Sequence, residues 1–402
     1  MRFITADYIF PVSSPPIKNG VVVVEDDGVI VNVIDQQSTV SSQPFLPDKI
    51  ESFKGIICPG FINAHCHLEL SHLKGKMTSG KGLPYFIREI TTKREATDEE
   101  IKTAISKAEE EMNDTGIVAV GDISNFNHSF EQKEKGNLKY HTFIEIFDLV
   151  AERAEEEFER GLSLVKELEA GSRKLELPKS ITPHATYTVT PKLLKLIGEY
   201  AISNDALLCI HNQETKSENE MFIHRAGELF ETLFSFGNYY DNWKATGLNS
   251  LESVLPELPS SKDVLLVHNT YTTSDDITWA NLYSMLLWWC TCPNANLFIE
   301  NKLPDYRLFM NGSCRMTIGT DSYASNKSLS IMDEMKTISE NASYIPLETL
   351  LQWATLNGAE FLRLNNELGS IEKGKKPGLN LIKDVDLDNL RLTKDSMVEK
   401  IL

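Results

Sequence analysis

Short apolar runs that end in a polar residue recur along the middle of this chain. Eight of them read as buried strands, at residues 56–62, 117–120, 140–146, 181–184, 207–211, 264–268, 286–291 and 316–320. Continuous apolar runs of this length are typical of strands that are buried on both faces, as in a parallel sheet. The pattern therefore predicts eight parallel strands.

Helical periodicity separates most of these runs. Residues 98–112, 151–168 and 191–203 read as helices, and the last has Thr190 as N-cap and Pro191 at its first position. Strands that alternate with helices indicate a parallel α/β fold, and eight such units predict a (β/α)₈ TIM barrel. The active site of such a barrel lies at the carboxyl ends of its strands.

The two ends of the chain show short apolar runs separated by turns, without the helical segments of the middle. Apolar runs at 21–25 and 29–33 flank an Asp26-Asp27-Gly28 turn, which is a hairpin signal. A glycine-rich stretch at 369–378 leads into a similar run. We expect a small β-sandwich domain from residues 1–55 and 366–402, with the barrel formed by residues 56–365.

An aromatic-rich helical insertion at about 218–261 follows the fifth strand. Long loops at the catalytic face of a barrel are often lids, so the insertion is interpreted as lid-like. Its aromatic residues are also compatible with a small separate core.

Histidines and an aspartate stand where the predicted strands end. His65 and His67 have the spacing that places two side chains on the same face of a strand, which makes half a metal site. His211, His268 and Asp321 end later strands. Each one alone also fits an ordinary core or loop residue. Three histidines and a carboxylate drawn from these residues suit zinc or another divalent metal, and a set with room for water is catalytic rather than structural.

Composition narrows the class of partner. The chain has 40 Lys and Arg against 58 Asp and Glu, a formal net charge of −18. This balance argues against a nucleic-acid or anionic membrane surface and favours a small-molecule substrate. No signal peptide or membrane-length apolar run is visible, and six cysteines lack the spacing of a disulfide framework. We expect a cytoplasmic enzyme, with a homodimer left open.

Taken in order, the motifs resemble the amidohydrolase superfamily, in its branch of cytosine deaminases, chlorohydrolases and adenosine-type deaminases. The resemblance rests on His65-x-His67, His184, His211-Asn-Gln-Glu214, His268-Asn269, Cys292-Pro-Asn-Ala-Asn296 and Gly319-Thr-Asp-Ser322. It implies one divalent ion, zinc first with iron or manganese as alternatives. The implied ligands are His65, His67, His211 and Asp321.

The resemblance also implies roles in catalysis. Glu214 is assigned as proton shuttle, His268 as the group that orients and polarises the reacting centre, and Asp321 as a ligand that also accepts a proton. Three further residues are assigned to the substrate: His184, Glu69 and Ser322. His184 also fits a capping or core histidine, and Glu69 a solvated loop glutamate.

The implied activity is hydrolytic deamination of an amino-purine nucleoside-like molecule. The segments at 63–75 and 325–331 look most like those of aminodeoxyfutalosine deaminases, which act on a 5′-modified adenosine. A guanine-type or chlorotriazine-type amidohydrolase is the alternative enzyme. A non-catalytic metal-binding scaffold is the alternative class, and Glu214 and His268 argue against it because neither is needed to hold a metal.

Overall fold

The structure is a computed structural model of the 402-residue chain, and it describes residues 1–35, 50–171, 177–237, 243–284 and 286–402. The chain forms two compact units. The first comprises Met1–Ala64, Glu110–Ala119 and Ser330–Leu402, and the second comprises His65–Glu109 and Val120–Leu329. The domain boundaries predicted from the sequence, after residue 55 and before residue 366, stay a prediction.

The strands are short, as the apolar runs predict. They are β1 (Arg2–Thr5), β2 (Tyr8–Ile9), β3 (Ile17–Lys18), β4 (Val21–Val24), β5 (Ile30–Ile34), β6 (Glu51–Ser52), β7 (Ile56–Pro59), β8 (Phe61–Cys66), β9 (Ile117–Ser124), β10 (Lys139–Ile146), β11 (Lys179–Pro183), β12 (Leu208–Asn212), β13 (Val264–His268), β14 (Leu287–Thr291), β15 (Arg315–Ile318), β16 (Leu379–Lys383) and β17 (Met397–Lys400).

The helices alternate with strands through the middle of the chain. They are α1 (Leu83–Lys93), α2 (Asp98–Asp114), α3 (Phe130–Lys133), α4 (Ala154–Gly171), α5 (Pro191–Ser203), α6 (Lys216–His224), α7 (Glu228–Ser235), α8 (Ser250–Val254), α9 (Ser274–Tyr283), α10 (Pro293–Glu300), α11 (Tyr306–Asn311), α12 (Ile331–Asn341), α13 (Leu347–Ala354) and α14 (Leu356–Phe361). Short 3₁₀ turns occupy Leu68–Leu73, Ala151–Arg153 and Leu255–Glu257.

Two sheets of the first unit are built from both ends of the chain. One has the strand order β5-β4-β1-β6 and the other β17-β16-β7-β2-β3. Side chains from both sheets, including Ile4, Val22, Ile57 and Leu381, pack in one buried apolar cluster. The predicted hairpin is present, since β4 and β5 pair antiparallel around Gly28, whose φ of 95° favours glycine. The predicted sandwich of the two termini is therefore confirmed.

The first predicted barrel strand, at 56–62, is wrong as a single strand. The chain divides at Gly60 into β7, which pairs with β16 and β2, and β8, which joins the sheet β11-β10-β9-β8. A Cβ on Gly60 would lie 2.3 Å from Val118 Cγ1 and 2.7 Å from the carbonyl oxygen of Pro377. Only glycine fits at this crossing. His65 therefore lies within the strand Phe61–Cys66 and His67 directly follows it, so the pair belongs to β8 and not to the run at 56–59.

Eight strands, β8 to β15, form a ring. They lie in two four-stranded sheets, β11-β10-β9-β8 and β12-β13-β14-β15, with parallel registers between β10 and β11 and throughout the second sheet. A parallel bridge between Ala185 and His211 links the sheets at one edge, and one between Cys66 and Asp321 links them at the other. This arrangement is the predicted (β/α)₈ barrel.

The predicted helices and the insertion have clear counterparts. α2, α4 and α5 lie where the periodicity indicates, and the Thr190 hydroxyl accepts a hydrogen bond from the Leu193 N–H at 3.4 Å, as an N-cap does. The insertion contains α6, α7 and α8; its residues 238–242 lie outside the described residues. No helix among the described residues is long and apolar enough to span a membrane.

Candidate metal and catalytic site

Three imidazoles converge at the carboxyl ends of the barrel strands. His67 Nε2 lies 3.1 Å from His65 Nε2 and 3.3 Å from His211 Nε2. Asp321 Oδ1 lies 3.5 Å from His67 Nε2 and 3.9 Å from His65 Nε2. One ligand atom from each of these four residues falls within 4.8 Å of all the others, and all four residues are buried. The structure thus brings together the four residues that the sequence predicts as a metal set.

The backbone turns sharply at or next to several residues that end the barrel strands. Gln213, His268, Asn269 and Asp321 all have positive φ, between 46° and 74°. Non-glycine residues adopt this left-handed region rarely, and it carries a cost that persists where the surroundings hold the residue in place. Backbone hydrogen bonds supply part of that hold, since the N–H of Asp321 donates to the carbonyl oxygen of His65 at 3.1 Å.

Neighbouring groups fix the orientation of the imidazoles and of the carboxylate. His211 Nδ1 donates to the carbonyl oxygen of His184 at 2.6 Å, which leaves the lone pair on His211 Nε2 directed at the cluster. The hydroxyl of Ser325 donates to Asp321 Oδ2, so Oδ1 is the oxygen that faces the histidines. These contacts are the kind that orient metal ligands in proteins.

The imidazoles of the cluster are held in their neutral form. Burial, followed by the proximity of the other histidines, lowers the pKa of His65 well below its usual value and that of His67 and His211 to about 3. Burial and then the positive charge of Arg94 lower the pKa of His184 to about 4. A neutral imidazole is the form that donates a lone pair to a metal.

Glu214 and His268 lie next to each other beside the cluster. Glu214 Oε1 is 3.8 Å from His268 Nε2, and both residues are buried. Burial, followed by the negative charges of Asp321, Glu300 and Glu218, raises the pKa of Glu214 well above its usual range. His268 Nδ1 donates to Asn296 Oδ1 at 2.8 Å, which turns the lone pair of Nε2 toward Glu214. Burial lowers the pKa of His268.

A cavity of about 240 Å³ opens onto this group of residues. Seven of the residues predicted for the site line it: His67, His184, His211, Glu214, His268, Asp321 and Ser322. The rest of its wall is largely apolar and includes Phe86 and Ile90 of α1 and Leu233 of α7, which belongs to the insertion. Concave, largely apolar pockets with a few converging polar groups are typical of small-molecule sites.

Glu69 lies elsewhere. It lines a second cavity, of about 450 Å³, and is not part of the lining of the first. Its Oε2 accepts hydrogen bonds from the backbone N–H groups of Asn125 and Phe126, at 2.9 and 3.0 Å. The contacts in the structure therefore tie Glu69 to the segment after β9, and its assignment to the substrate stays a prediction.

Two residues of the site were missed by the sequence analysis. Glu145, at the end of β10, is buried, lines the first cavity and places Oε1 3.8 Å from His211 Nδ1. A glutamate within an apolar strand run was the signal available for it. Asn296 was recognised only as part of a motif, and its contact with His268 joins the ends of two different strands, which local sequence does not show.

The sequence comparisons agree with this geometry. The model of the amidohydrolase family matches residues 56–401. The chain belongs to the amidohydrolase family. Its predicted membership is thereby confirmed, and the match takes in every residue of the cluster.

Individual relatives of this amidohydrolase are deaminases of nucleosides. An adenosine deaminase of Helicobacter pylori is 27% identical over 376 residues, which cover 89% of this chain and 87% of the relative. A 5-methylthioadenosine/S-adenosylhomocysteine deaminase of Moorella thermoacetica is 26% identical over 384 residues, covering 93% and 83%. The crystal structure of Helicobacter pylori aminofutalosine deaminase with methylthio-coformycin superposes with a TM-score of 0.79 at 24% identity, covering 95% of this chain and 92% of that one. This last likeness shows the shared fold.

Proposed function

We propose that this amidohydrolase is a metal-dependent hydrolytic deaminase of a 5′-modified adenosine. The observation that carries the proposal is geometric: the buried carboxyl group of Glu214 lies 3.8 Å from His268 Nε2, beside three converging imidazole nitrogens. Replacement of an amino group on an aromatic ring by water needs an activated water and a group that moves protons to the ring nitrogen and to the leaving amine. The named relatives that deaminate adenosine compounds support this reading.

The proposed metal ligands are His65, His67, His211 and Asp321. Their fit to a cation follows from the donor set, because His67 Nε2 lies within 3.3 Å of two other imidazole nitrogens. His211 carries its proton on Nδ1, which donates to the carbonyl oxygen of His184, so its Nε2 has a lone pair that can coordinate a cation. A divalent cation satisfies all four donors at once, and the nitrogen-rich set favours zinc, with iron and manganese as alternatives. Such an ion lowers the pKa of a bound water to about 7 and so supplies the attacking oxygen.

Three residues of the chain, Glu214, His268 and Asp321, then carry out the proton transfers and orient the attacking oxygen. Glu214 is the general acid, and its Oε1 donates a proton to the ring nitrogen adjacent to the carbon that bears the amino group. His268, oriented by Asn296, accepts a hydrogen bond at Nε2 and holds the attacking oxygen in line. Asp321 accepts the proton released by the water, which then returns through Glu214 to the departing amine. The products are ammonia and the corresponding 6-oxopurine nucleoside.

Substrate turnover is the first test. The zinc-loaded protein is assayed for ammonia release and for loss of the aminopurine absorbance with 5′-deoxyadenosine, methylthioadenosine, S-adenosylhomocysteine, aminodeoxyfutalosine, guanine and a chlorotriazine. We expect a 5′-substituted adenosine to give the highest kcat/KM, and aminodeoxyfutalosine to be preferred among them. A faster reaction with guanine or the triazine would instead support the alternative enzymes, and metal binding without any turnover would support the scaffold.

The role of Glu214 is tested by Glu214→Gln, which keeps the size of the side chain but cannot transfer a proton. We expect kcat to fall by at least about 100-fold with metal content near that of the wild type. Glu220→Gln is the matched control, because Glu220 is in the adjoining helix α6, pairs with Lys216 at 3.3 Å and does not line the cavity. Loss of metal in Glu214→Gln with activity retained after reloading would contradict the assignment.

A further inference from the structure

Glu218 is a buried glutamate of helix α6 that takes no part in the proton transfers proposed above. Its Oε2 accepts a hydrogen bond from the backbone N–H of Glu214 at 3.0 Å, and its Oε1 accepts one from the backbone N–H of Gln213 at 2.9 Å. The hydroxyl of Thr186 also donates to Oε1, at 2.7 Å. The two oxygens of one carboxylate therefore bind the backbone at the proposed general acid and directly before it.

The backbone that Glu218 binds has an uncommon conformation. Gln213 has a φ of 46°, in the left-handed region that costs energy for a residue other than glycine. It directly follows strand β12, which ends at Asn212, and its side chain is also held, because the hydroxyl of Thr272 donates to Gln213 Oε1 at 2.6 Å. A costly backbone conformation persists where its surroundings hold it. The carboxylate of Glu218 supplies this hold from the side of α6.

Glu218 also connects two neighbouring strand ends. Thr186 lies two residues after His184, which lines the catalytic cavity and whose carbonyl oxygen accepts the hydrogen bond from His211 Nδ1. One carboxylate thus links the segment that carries His184 to the segment that carries Glu214. The position of a group that transfers a proton matters greatly, since a misplacement of about 1 Å can lower a rate by about 100-fold.

We propose that Glu218 is a positioning residue that holds the carboxyl group of Glu214 where it exchanges a proton with the substrate. The inference rests on the proposed function and adds to it a residue that acts through Glu214 without lining the catalytic cavity. A carboxylate suits this role because it offers two acceptor oxygens, whereas an amide offers one oxygen and one NH₂ group. In Glu218→Gln at least one of the three donors therefore faces another donor and loses its hydrogen bond.

Steady-state kinetics of zinc-loaded Glu218→Gln, with the nucleoside that the wild type deaminates fastest, is the first measurement. We expect kcat to fall roughly 10- to 100-fold and KM to change less than about threefold, because the change displaces the acid and not the substrate. Zinc content should equal that of the wild type, since the hydrogen bonds of Glu218 involve none of the proposed metal ligands. A raised KM at unchanged kcat, or a loss of zinc, would overturn the proposal.

Thr186→Val is the second variant, and it decides the question if Glu218→Gln does not fold. It removes one of the three donors and leaves both backbone hydrogen bonds of Glu218 in place. The carboxylate then loses its tie to the segment of His184, so kcat should fall, but by a smaller factor than in Glu218→Gln. An unchanged kcat in Thr186→Val would overturn the link between the two segments.

Glu109→Gln is the matched control for the loss of a buried, hydrogen-bonded carboxylate. Glu109 is buried, accepts hydrogen bonds from the Tyr140 hydroxyl and the Asn137 side chain, both at 2.8 Å, and does not line the catalytic cavity. It should lower the urea midpoint, as Glu218→Gln does, but leave kcat unchanged. Equal losses of kcat in the two variants would show a general loss of stability and would overturn the positioning role.

Hydrogen exchange separates this proposal from the proposed function, because it needs no turnover. Mass spectrometry of peptides that cover residues 212–216 reports the N–H groups of Gln213 and Glu214 in the zinc-loaded protein. We expect faster exchange in Glu218→Gln and wild-type exchange in Glu220→Gln, which removes a charge from the same helix. If the wild type releases no ammonia from any nucleoside, the deaminase assignment fails, while this comparison still decides whether Glu218 holds the backbone of Glu214. Wild-type exchange in Glu218→Gln would overturn that role.

Discussion

Replacing Lys133 by Met should lower the free energy of unfolding by about 3–5 kcal/mol, because it leaves a buried carboxylate without its cation. Lys133 Nζ lies 2.6 Å from Asp122 Oδ2, and neither side chain has any exposed surface. Its remaining N–H groups donate to Ser124 Oγ at 3.0 Å and Thr142 Oγ1 at 3.1 Å. Met nearly matches the length of Lys, so the space stays filled while the pairing is lost.

A double variant separates the loss of pairing from the loss of packing. In Lys133→Met with Asp122→Leu no charge remains buried, and an apolar replacement of a whole buried pair is often close to neutral. One contact is still missing, because Asp122 Oδ1 accepts the N–H of Leu68 at 2.9 Å. We therefore expect the double variant to recover most of the stability and to remain about 1–3 kcal/mol below the wild type.

The measurement is denaturant unfolding of the zinc-saturated protein, followed by circular dichroism. Free zinc is kept constant, because a ligand that binds only the folded state raises the apparent stability. A loss below about 1 kcal/mol for Lys133→Met would match an exposed ion pair and refute the reasoning. A double variant that is as unstable as the single one would also refute it, since packing would then be the cause.

Three further changes probe the supports of the site. Asn296→Ala frees His268 Nδ1, and we expect kcat to fall roughly 10- to 100-fold with metal retained in elemental analysis. Gly319→Ala places a Cβ 2.8 Å from the backbone oxygen of His65, so metal content and the unfolding midpoint should both fall. Burial raises the pKa of Asp148 in the folded state above its value in the unfolded state. Protonation of Asp148 therefore stabilises the fold fully below the unfolded-state pKa, and this stabilisation is lost as the pH rises through the folded-state pKa. Asp148→Asn lacks this titration, so its urea midpoint relative to that of the wild type should improve with rising pH.

The sequence predicts the barrel well because each barrel strand is recognisable from its own local pattern of apolar and polar residues. Runs such as 264–268 are apolar on both faces and end in a polar residue, and both features survive in β13 and His268. The failure at 56–62 has a physical cause as well. An apolar run shows that a segment is buried but not in which sheet, and the division at Gly60 depends on close contact with Val118 and Pro377.

The site contacts that the sequence could not predict join residues from the ends of different strands. Glu145 of β10 lies 3.8 Å from His211 of β12, across the intervening strand β11, and its own run carries no periodic pattern that separates a site residue from a buried structural one. Glu69 has the spacing to follow His65 and His67, but a 3₁₀ turn begins at Leu68 and ends the extended backbone. The i+2 series stops there, and Glu69 faces the second cavity instead.

The proposed metal ligands lie at the two seams where the four-stranded sheets join. His65, His67 and Asp321 flank the seam between β8 and the segment after β15, and His211 lies at the seam between β11 and β12. At each seam the strands meet through isolated bridges and a few backbone hydrogen bonds, not through a long ladder. An ion bound to all four residues would therefore connect both seams. Because binding to the folded state alone adds to its stability, metal affinity and ring closure are thermodynamically coupled.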